Sequence, residues 1–402
     1  MARQTGPGVE MTGLGDPKVT RRDVGVCGDA AELDELEARL ESFVAELAAA
    51  NIDESDEHAC TREYVRRLAD AGLLRYVAPQ AHGGAHAQVR STPLCLIRQW
   101  LSRHSGALDT AFVMQGLGSN PVTLGGSDAL RSQLLPRVVS GEAICAFALT
   151  EPEAGSDVSG MQTRAETDGD GVQLHGEKCW ISNAGVADSY VVFAREAEDG
   201  EGGKPRFGAF WVPGDAPGLS VEPMQVIAPH PIGKVRFDGV RVPAAHRLGE
   251  PGKGLRIALA NLDVFRVTVG AAALGLADRA LSETVAHLNT RVQFGKPLSK
   301  QQGLRFAVAD VATDHVAAQL LVYRAAAARD RGGATPDQAA MAKLFATESA
   351  QRTIDRAVQS FGGRGVTVGE APERLYREIR ALRIYEGTSE IQKLVIARAL
   401  FG

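Results

Sequence analysis

The sequence predicts an α+β protein in which a helical N-terminal domain, a β-rich middle domain and a second helical domain follow one another. Three observations support this order. Apolar residues recur at helical spacing before Gly141, short β-branched runs dominate from about residue 146 to residue 250, and Ala-rich helical stretches follow Gly252. With 402 residues, the chain is long enough for two or three domains with cores of their own.

The N-terminal domain is predicted over residues 29–145 and begins with an amphipathic helix. Its apolar residues recur three and four positions apart and form one stripe: Leu33, Leu36, Leu40, Val44 and Leu47. Helical signals continue to residue 100, interrupted by a Gly-rich turn at residues 81–86. Residues 1–28 mix basic and acidic side chains and lack the apolar segment of a secretory signal, so we expect a flexible tail there.

The middle domain is predicted over residues 146–250 and consists of short strands. Four runs rich in β-branched and aromatic residues mark them, at 172–174, 191–193, 207–212 and 235–242. Because these runs are too close together for helices between them, we expect an antiparallel sheet or a small barrel rather than a parallel sheet.

The C-terminal domain is predicted over residues 251–402 and is helical throughout. Two apolar stripes indicate long helices: Leu304, Val308 and Val311 in one, and Ile354, Val358 and Phe361 in the other. Residues 329–335 are expected to form a loop between two of these helices.

Composition excludes several classes of protein. The chain has 44 Lys and Arg against 49 Asp and Glu, a net charge of −5, which disfavours binding to nucleic acid. No apolar run approaches the roughly 18 residues that cross a bilayer. The five cysteines are odd in number and show no C-x-x-C spacing, which is typical of a protein in a reducing compartment. We therefore expect a cytoplasmic protein without membrane contact.

Two sequence blocks in the middle domain combine hydroxyl groups with an aromatic ring. Residues 147–160 are FALTEPEAGSDVSG, which alone is typical of a polar loop. Residues 178–184 are KCWISNA, so Trp180 and Ser182 lie at the end of a predicted strand. A tryptophan is more often part of the core, but this pair would also offer a flat apolar surface and a hydroxyl to a planar ring system.

Three further blocks lie in the C-terminal domain. Residues 291–302 are RVQFGKPLSKQQ, in which Arg291 can pair with a diphosphate or lie solvated at the surface. Residues 359–369, QSFGGRGVTVG, form a Gly-rich segment that follows no predicted strand and lacks the G-x-G-x-x-G spacing, which excludes a nicotinamide-binding fingerprint. Residues 383–392 are RIYEGTSEIQ, in which Glu386 by itself would be an ordinary surface carboxylate.

Together, and in this order, the blocks resemble the acyl-CoA dehydrogenase family of flavoproteins. The resemblance covers the chain from about Leu33 to the C-terminus. It implies an acyl-CoA dehydrogenase-like fold with an N-terminal helical domain, a middle antiparallel β domain and a C-terminal four-helix bundle. It also implies bound FAD and a homotetramer, with a dimer as the alternative.

The resemblance also assigns roles to individual residues. Those implied to bind FAD are Phe147, Leu149, Thr150, Ser156, Trp180, Ser182, Arg291, Phe294, Gln302, Gln359, Gly362, Gly363, Thr388 and Glu390. Those implied to bind the thioester substrate are Ser156, Asp263, Arg266, Gly387 and Arg398. Trp180 and Ser182 resemble the pair at the flavin ring and its N5 atom, and Arg291 and Gln359 resemble residues that reach FAD bound by a neighbouring subunit.

Glu386 resembles the catalytic base of the family. Some members place the base on an earlier helix, one residue before the equivalent of Arg266, but here that position is Phe265, which cannot take a proton. By resemblance, Glu386 removes the α-proton of an acyl thioester and flavin N5 accepts the β-hydride. The expected enzyme is an FAD-dependent oxidoreductase acting on CH–CH groups.

The sequence departs from the family pattern at Glu153, at Phe265 and over residues 227–240. The last two lie near the place where the family holds the thioester, so the substrate is expected to be an acyl-CoA or, alternatively, an acyl group on a carrier protein. The electron acceptor is expected to be an electron-transfer flavoprotein or oxygen. A third alternative is the nucleic-acid-associated branch of the family. Members of that branch carry a basic C-terminal extension, and the sequence up to Gly402 shows none, so this alternative is disfavoured.

No metal site is expected. His82 and His86 lie four residues apart, but they flank two glycines in a predicted loop. No cysteine or carboxylate is spaced to complete a site with them.

Overall fold

The computed structural model describes residues 30–50, 52–196 and 205–402, so the tail expected over residues 1–28 lies outside the described part. The described residues form two compact units. The helical unit comprises residues 30–45, Ser91–Gly106 and Arg266–Gly402, and the sheet unit comprises Glu46–Arg90 and Ala107–Phe265.

The first part of the chain is helical, as predicted. Its helices are α1 (Ala30–Ala50), α2 (Glu57–Asp70), α3 (Ser91–His104), α4 (Gly106–Gly125) and α5 (Asp128–Val139). The carboxylate of Asp56 accepts a hydrogen bond from the Ala59 amide at the start of α2, and Ser127 does the same for Leu130 at the start of α5. The predicted apolar stripe of α1 is buried except for the half-buried Val44.

The middle of the chain forms the predicted sheet. Its strands are β1 (Cys145–Ala148), β2 (Arg164–Asp168), β3 (Gly171–Ser182), β4 (Ser189–Glu196), β5 (Phe207–Pro213), β6 (Leu219–Pro223), β7 (Ile232–Val242) and β8 (Arg247–Leu248). They are arranged in the order β6-β7-β3-β2-β4-β5-β8, with β1 beside β4. Most pairs are antiparallel, but β4 pairs in parallel with both β1 and β2. The hairpin of β2 and β3 lies between β1 and β4 in sequence, so no helix is needed to connect the parallel strands β1 and β4.

The sheet unit has a core of small and β-branched side chains from alternating strand positions. Leu174, Val192, Val212, Val235 and Val240 are fully buried in it. The pairing of β3 with β7 shifts register between Lys178 and Ile181. Such a bulge bends the strand and changes the direction of the side chains beside it.

The last part of the chain is helical, as predicted. It contains α6 (Gly254–Thr290), a small hairpin of β9 (Val292–Gln293) and β10 (Lys296–Pro297), α7 (Gln302–Asp330), α8 (Pro336–Phe361), α9 (Ala371–Leu382) and α10 (Ser389–Phe401). A loop was expected over residues 329–335; residues 331–335 connect α7 and α8, whereas Arg329 and Asp330 still belong to α7. In the helical unit, Val269, Leu276, Ile354, Leu375 and Ile379 belong to one buried cluster. The helices α6, α8 and α9 therefore share a core.

Helix α6 requires a correction to the sequence analysis. It is long and apolar enough to cross a membrane, because an 18-residue window has a mean hydropathy of 1.5. However, 78% of that window is buried inside the protein, which is typical of a core helix in a soluble protein.

The cysteines in the described residues are free thiols. Cys60, Cys95, Cys145 and Cys179 are all buried, and Cys27 lies outside the described residues. Burial raises the pKa of the Cys60 and Cys145 thiols to about 12. These two side chains therefore behave as apolar core residues rather than as nucleophiles.

Candidate active site

The structure brings the two sequence blocks of the middle domain together. The Cys179 amide donates to the carbonyl of Thr150 at 2.9 Å, and the Nζ atom of Lys178 donates to the carbonyl of Leu149 at 2.9 Å. The FALTE segment is therefore fixed along the end of β3, beside Trp180 and Ser182.

A buried ion pair underlies this junction. The Nζ atom of Lys178 lies 2.7 Å from Oε1 of Glu151, and the two side chains are 0% and 5% exposed. Glu151 also accepts hydrogen bonds from the amides of Gln162 and Thr163 at 2.6 and 3.0 Å. Burial raises the pKa of Glu151, but the charge of Lys178 and these hydrogen bonds outweigh it and keep the pKa below its usual value.

Trp180 has an unusual backbone conformation for a large aromatic residue. Its φ is 56°, in the left-handed region, and its side chain is 50% exposed. It lies within the register shift between β3 and β7. A bulky residue at positive φ costs about 1–3 kcal/mol, and such strain is concentrated at functional sites. The bulge leaves a large flat apolar surface accessible at the end of the strand.

Ser182, two residues further along, is half-buried and hydrogen-bonded. Its Oγ atom lies 3.0 Å from Nε2 of His230. Sequence analysis did not select His230, although it lies within the atypical stretch 227–240.

The other residues of the 147–160 block that were predicted to bind FAD differ in how exposed they are. Leu149 is buried, and the ring of Phe147 packs 5.0 Å from that of Phe193, so these two side chains belong to the local core. Ser156 is exposed in a loop where Asp157 accepts a hydrogen bond from the Ser159 amide at 3.1 Å. A contact of this segment with a ligand would therefore involve its backbone, Thr150 and Ser156.

Phe265 and Asp263 lie near the C-terminal boundary of the sheet unit. Asp263 is exposed, whereas Phe265 is only 1% exposed. The Phe265 ring lies over Gly116 of α4, and a Cβ atom at Gly116 would come within 2.7 Å of it. This glycine therefore provides the space that the ring occupies.

In the helical unit, Glu386 lies in the short loop between α9 and α10 and is strained as well. Its φ is 53°, and Gly387 follows with a φ of 92°. The Ser389 amide donates to the carbonyl of Arg383 at 3.1 Å, which closes the loop. Two successive left-handed residues turn the chain sharply, and the half-buried Glu386 is at the centre of the turn.

Buried residues of α8 and α10 donate hydrogen bonds to the backbone carbonyls of this loop. The Nζ atom of Lys343 donates to the carbonyl of Gly387 at 2.8 Å, and the Nε2 atom of Gln392 donates to the carbonyls of Gly387 at 2.8 Å and Glu386 at 3.2 Å. Lys343 and Gln392 are both 0% exposed. A side chain at Gly387 would come within 2.6 Å of the Gln392 amide nitrogen, so only glycine fits there.

The two ends of the loop are attached to one carboxylate. Oε1 of Glu348 accepts from Nε of Arg383 at 2.9 Å and from Oγ of Ser389 at 2.5 Å. Burial raises the pKa of Glu348, but these two hydrogen bonds outweigh it and lower the pKa. Lys343 and Glu348, both on α8, therefore fix the middle and the ends of the Glu386 loop.

Several charges meet around Lys343. Burial lowers its pKa to about 8; the Glu386 carboxylate opposes this shift, and the Arg266 guanidinium adds to it. Arg266 is itself only 8% exposed. The structure thus places Arg266, predicted to bind substrate, in the same charge network as Glu386.

The other predicted residues of α10 have distinct positions. Thr388 is the N-cap of the helix and accepts from the Ile391 amide at 3.3 Å. Glu390 lies exposed in the first turn, and Arg398 lies exposed in the last turn.

The remaining predicted FAD residues form a separate, exposed group in the helical unit. They are Arg291, Phe294, Gln302, Gln359, Gly362 and Gly363. The stacked rings of His287 and Phe361, 4.1 Å apart, join the end of α6 to the end of α8. Burial, followed by the charges of Arg364 and Arg291, lowers the pKa of His287, and Glu370, which pairs with Arg364 at 2.8 Å, opposes this shift.

Comparison with known proteins identifies the family. The chain matches the acyl-CoA dehydrogenase N-terminal domain over residues 30–142, the middle domain over residues 146–240 and the C-terminal domain over residues 252–401. The protein belongs to the acyl-CoA dehydrogenase family. It is therefore an oxidoreductase acting on CH–CH groups, and its cofactor is FAD, which confirms the predicted family, fold class, enzyme class and cofactor.

Individual relatives agree with this assignment. Cyclohexane-1-carbonyl-CoA dehydrogenase of Geobacter metallireducens is 38% identical over 356 residues, which cover 88% of this chain and 92% of that protein. The structure of a glutaryl-coenzyme A dehydrogenase in complex with glutaryl-CoA superimposes with a TM-score of 0.86 at 31% identity, covering 92% of this chain and 95% of that one. The structure of an acyl-CoA dehydrogenase of Bacillus anthracis in complex with FAD superimposes with a TM-score of 0.85 at 29% identity, covering 92% of this chain and 68% of that one.

The residues present fit an acyl-CoA dehydrogenase with bound FAD. Trp180 offers a flat surface for the ring system, and Ser182 offers a hydroxyl beside it. A Cβ atom at Gly362 or Gly363 would meet no atom within 4 Å, so their backbone is open to a close approach. The charge of Arg291 acts on His287, whose ring stacks on Phe361 just before these glycines, so Arg291 can supply positive charge for a diphosphate. In the described ranges, no group of three or more His, Cys, Asp or Glu could hold a metal ion.

Sequence analysis missed the buried supports of both strained segments. Lys343 could have been noticed, because it lies on the stripe of α8 that buries Ala340, Ala346 and Ala350. For Glu151, Glu348 and Gln392, no pattern at helical or strand spacing indicates the role.

Proposed function

We propose that this acyl-CoA dehydrogenase desaturates an acyl thioester between its α- and β-carbons, with Glu386 as the base that removes the α-proton. The observation that carries the proposal is the Glu386 loop itself. A surface carboxylate needs neither a left-handed backbone nor two buried polar side chains beneath it. Both are expected where a carboxylate must be held in one orientation for proton transfer.

The charges around Glu386 suit this role. Lys343 and Arg266 bring positive charge into the loop's surroundings, which favours the ionised carboxylate that a base requires. Their burial excludes water and strengthens these interactions. Arg266 is further proposed to contact the substrate together with Asp263, Ser156, Gly387 and Arg398.

FAD, when bound, supplies the hydride acceptor of the reaction. Trp180 is proposed to lie against the flavin ring, with Thr150 and Ser182 at its polar edges. Thr388 and Glu390 are proposed to contact it near the base. The exposed position of Arg291, Phe294, Gln302, Gln359, Gly362 and Gly363 supports their proposed role in holding the diphosphate and adenosine of FAD bound by a second copy of the chain.

The proposed substrate is an acyl-CoA, because the relatives named above act on or bind CoA thioesters. An acyl group on a carrier protein is the second candidate, favoured by the atypical stretch 227–240. The buried Phe265 ring is proposed to limit the acyl pocket to short, unhindered groups. We also propose a homotetramer in the cytoplasm, with an electron-transfer flavoprotein or oxygen as acceptor.

The test is anaerobic mixing of the purified holoenzyme with a panel of acyl-CoAs and acyl carrier proteins, followed by the loss of flavin absorbance. Glu386→Gln is expected to retain FAD but to reduce its flavin about 10²–10⁴-fold more slowly. The control is Glu142→Gln, an exposed carboxylate, which should match the wild type. Flavin reduction at the wild-type rate in Glu386→Gln would place the base elsewhere.

The same panel tests Phe265. We expect Phe265→Gly to accept branched acyl groups that the wild type rejects, while FAD remains bound. Because the ring is fully buried, the glycine variant should also lose about 3–5 kcal/mol of stability, so Phe265→Leu is measured beside it. An unchanged order of substrates in both variants would remove Phe265 from the pocket.

A further inference from the structure

Ser182 belongs to a short hydrogen-bonded chain within the sheet unit. Its Oγ atom lies 3.0 Å from Nε2 of His230, and Nδ1 of His230 lies 2.9 Å from the carbonyl oxygen of Ala228. Ser182 ends β3 and pairs with Ile232, the first residue of β7, so the pairing of these strands brings His230 beside the hydroxyl.

The partners of His230 determine its tautomer. A carbonyl oxygen can only accept a hydrogen bond, so Nδ1 carries the proton that it donates to Ala228. In the neutral ring, Nε2 is then an acceptor. The single proton of the Ser182 hydroxyl must point to Nε2, and the lone pairs of Oγ remain available on the other side.

Protonation of His230 would reverse this arrangement. Both ring nitrogens then donate, Oγ of Ser182 accepts from Nε2, and the hydroxyl proton turns away from the histidine. The charge of His230 therefore decides whether Ser182 accepts or donates toward a neighbouring group.

We propose that His230 serves as a proton acceptor that works through Ser182 at the N5 edge of the flavin. The inference rests on the proposed function for the position of Ser182 beside N5. A bound flavin that had accepted a hydride would have to release the proton of N5 when its electrons pass to the acceptor. Ser182 and His230 offer a route for it.

The transfer balances in atoms and electrons. With FAD bound, Ser182 Oγ would accept the proton released at N5 as the external acceptor, an electron-transfer flavoprotein or oxygen, takes two electrons, and Ser182 would pass its own proton to Nε2 of His230. The N–H bond at N5 and the old O–H bond would break, while a new O–H bond and an Nε2–H bond would form. His230 then releases a proton to solvent and becomes neutral again.

The surroundings keep His230 neutral before the transfer. Burial lowers its pKa, and the carbonyl of Ala228 and the charge of Glu57 at the start of α2 oppose this shift without outweighing it. On the flanking strands β6 and β7, Glu222 and Lys234 pair with each other at 3.4 Å. The ring of His230 is therefore neutral near neutral pH, and its Nε2 lone pair faces the Ser182 hydroxyl.

The test uses holoenzyme reduced by light, so that no substrate is needed, and then mixed with a ferrocenium salt at different pH values. In the wild type, the reoxidation rate should rise with pH through the pKa of His230, below about 6.5, and should fall in D2O. His230→Gln cannot take a proton. It should lack the pH-dependent rise and reoxidise roughly 10²-fold more slowly.

Two further variants separate a relay from a structural role. His246→Gln is the matched control, because His246 also lies in the sheet unit, has a pKa lowered by burial and packs 4.5 Å from the Trp211 ring. Its reoxidation should equal that of the wild type. The double variant His230→Gln/Ser182→Ala should be no slower than either single variant, because both remove the same route.

A wild-type rate and pH profile in His230→Gln would overturn the proposal and leave the Ser182 contact as a structural bond. Failure of the proposed function would appear differently. No acyl thioester would then reduce the wild-type flavin, while photoreduction would still report on His230.

Discussion

The two strained segments of the molecule are each supported by a buried lysine, but the two lysines are paired differently. In the sheet unit, Lys178 donates to the carbonyl of Leu149 and forms an ion pair with Glu151 at 2.7 Å. In the helical unit, Lys343 donates to the carbonyl of Gly387, and the carboxylates that act on it, Glu386 and Glu348, lower the cost of its burial from further away. Burial lowers the pKa of both lysines.

The difference indicates what each lysine does. A direct ion pair neutralises Lys178, so this site fixes the FALTE segment without adding net charge. Lys343 has no such carboxylate at hydrogen-bonding distance among the described contacts, so its positive charge acts on the Glu386 loop. One lysine is a structural support, and the other is proposed to support the loop and also to favour the ionised base.

The largest effect is expected from removing the ion pair of Lys178. Glu151→Gln leaves a buried ammonium without its counter-charge and should lower the free energy of unfolding by about 3–5 kcal/mol. Urea denaturation at neutral pH measures this. The double variant Lys178→Met/Glu151→Leu should recover most of the loss, since neither charge is then buried. A loss below about 1 kcal/mol in Glu151→Gln would show that the pair is not a structural support.

An intermediate effect is expected from pH. The pKa of Lys343 is about 8 in the folded protein, below the 10.5 of an exposed lysine, so between these values the unfolded chain binds more protons than the folded one. The free energy of unfolding should therefore rise as the pH increases from about 8 to about 10, by on the order of 2–3 kcal/mol.

The same pH series measured on Lys343→Met separates the contribution of Lys343 from that of Lys178. The variant should lose the share of the rise that Lys343 contributes and keep the share from Lys178. Urea midpoints at each pH provide the measurement. An identical slope in the wild type and the variant would contradict the lowered pKa of Lys343.

The smallest effect is expected from the catalytic role of Lys343. Lys343→Met removes a positive charge near Glu386 and releases the Gly387 carbonyl, so the acid limb of the kcat/KM profile should move up by about one pH unit. At neutral pH, kcat/KM should fall about tenfold, which corresponds to ~1.4 kcal/mol. Lys253→Met, at an exposed position, is the control. A fall in kcat/KM with no shift of the acid limb would restrict Lys343 to a structural role.

Sequence alone determined the order of the helical and β-rich regions and some of the helices and strands within them. The α1 stripe, the four strand runs and the loop at residues 331–335 were predictable because helix and strand periodicities are local properties of the chain. The motif blocks also identified the family, since their order and spacing are properties of the sequence as well.

Only the tertiary structure decided how the candidate site is held. The left-handed conformations of Trp180 and Glu386 are not visible in the sequence, because neither residue type favours positive φ. Their supports come from distant parts of the chain: Lys343 is 44 residues from Gly387, and Lys178 is 27 residues from Glu151. A buried polar group must find its partner in space, and that partner has no fixed spacing along the chain.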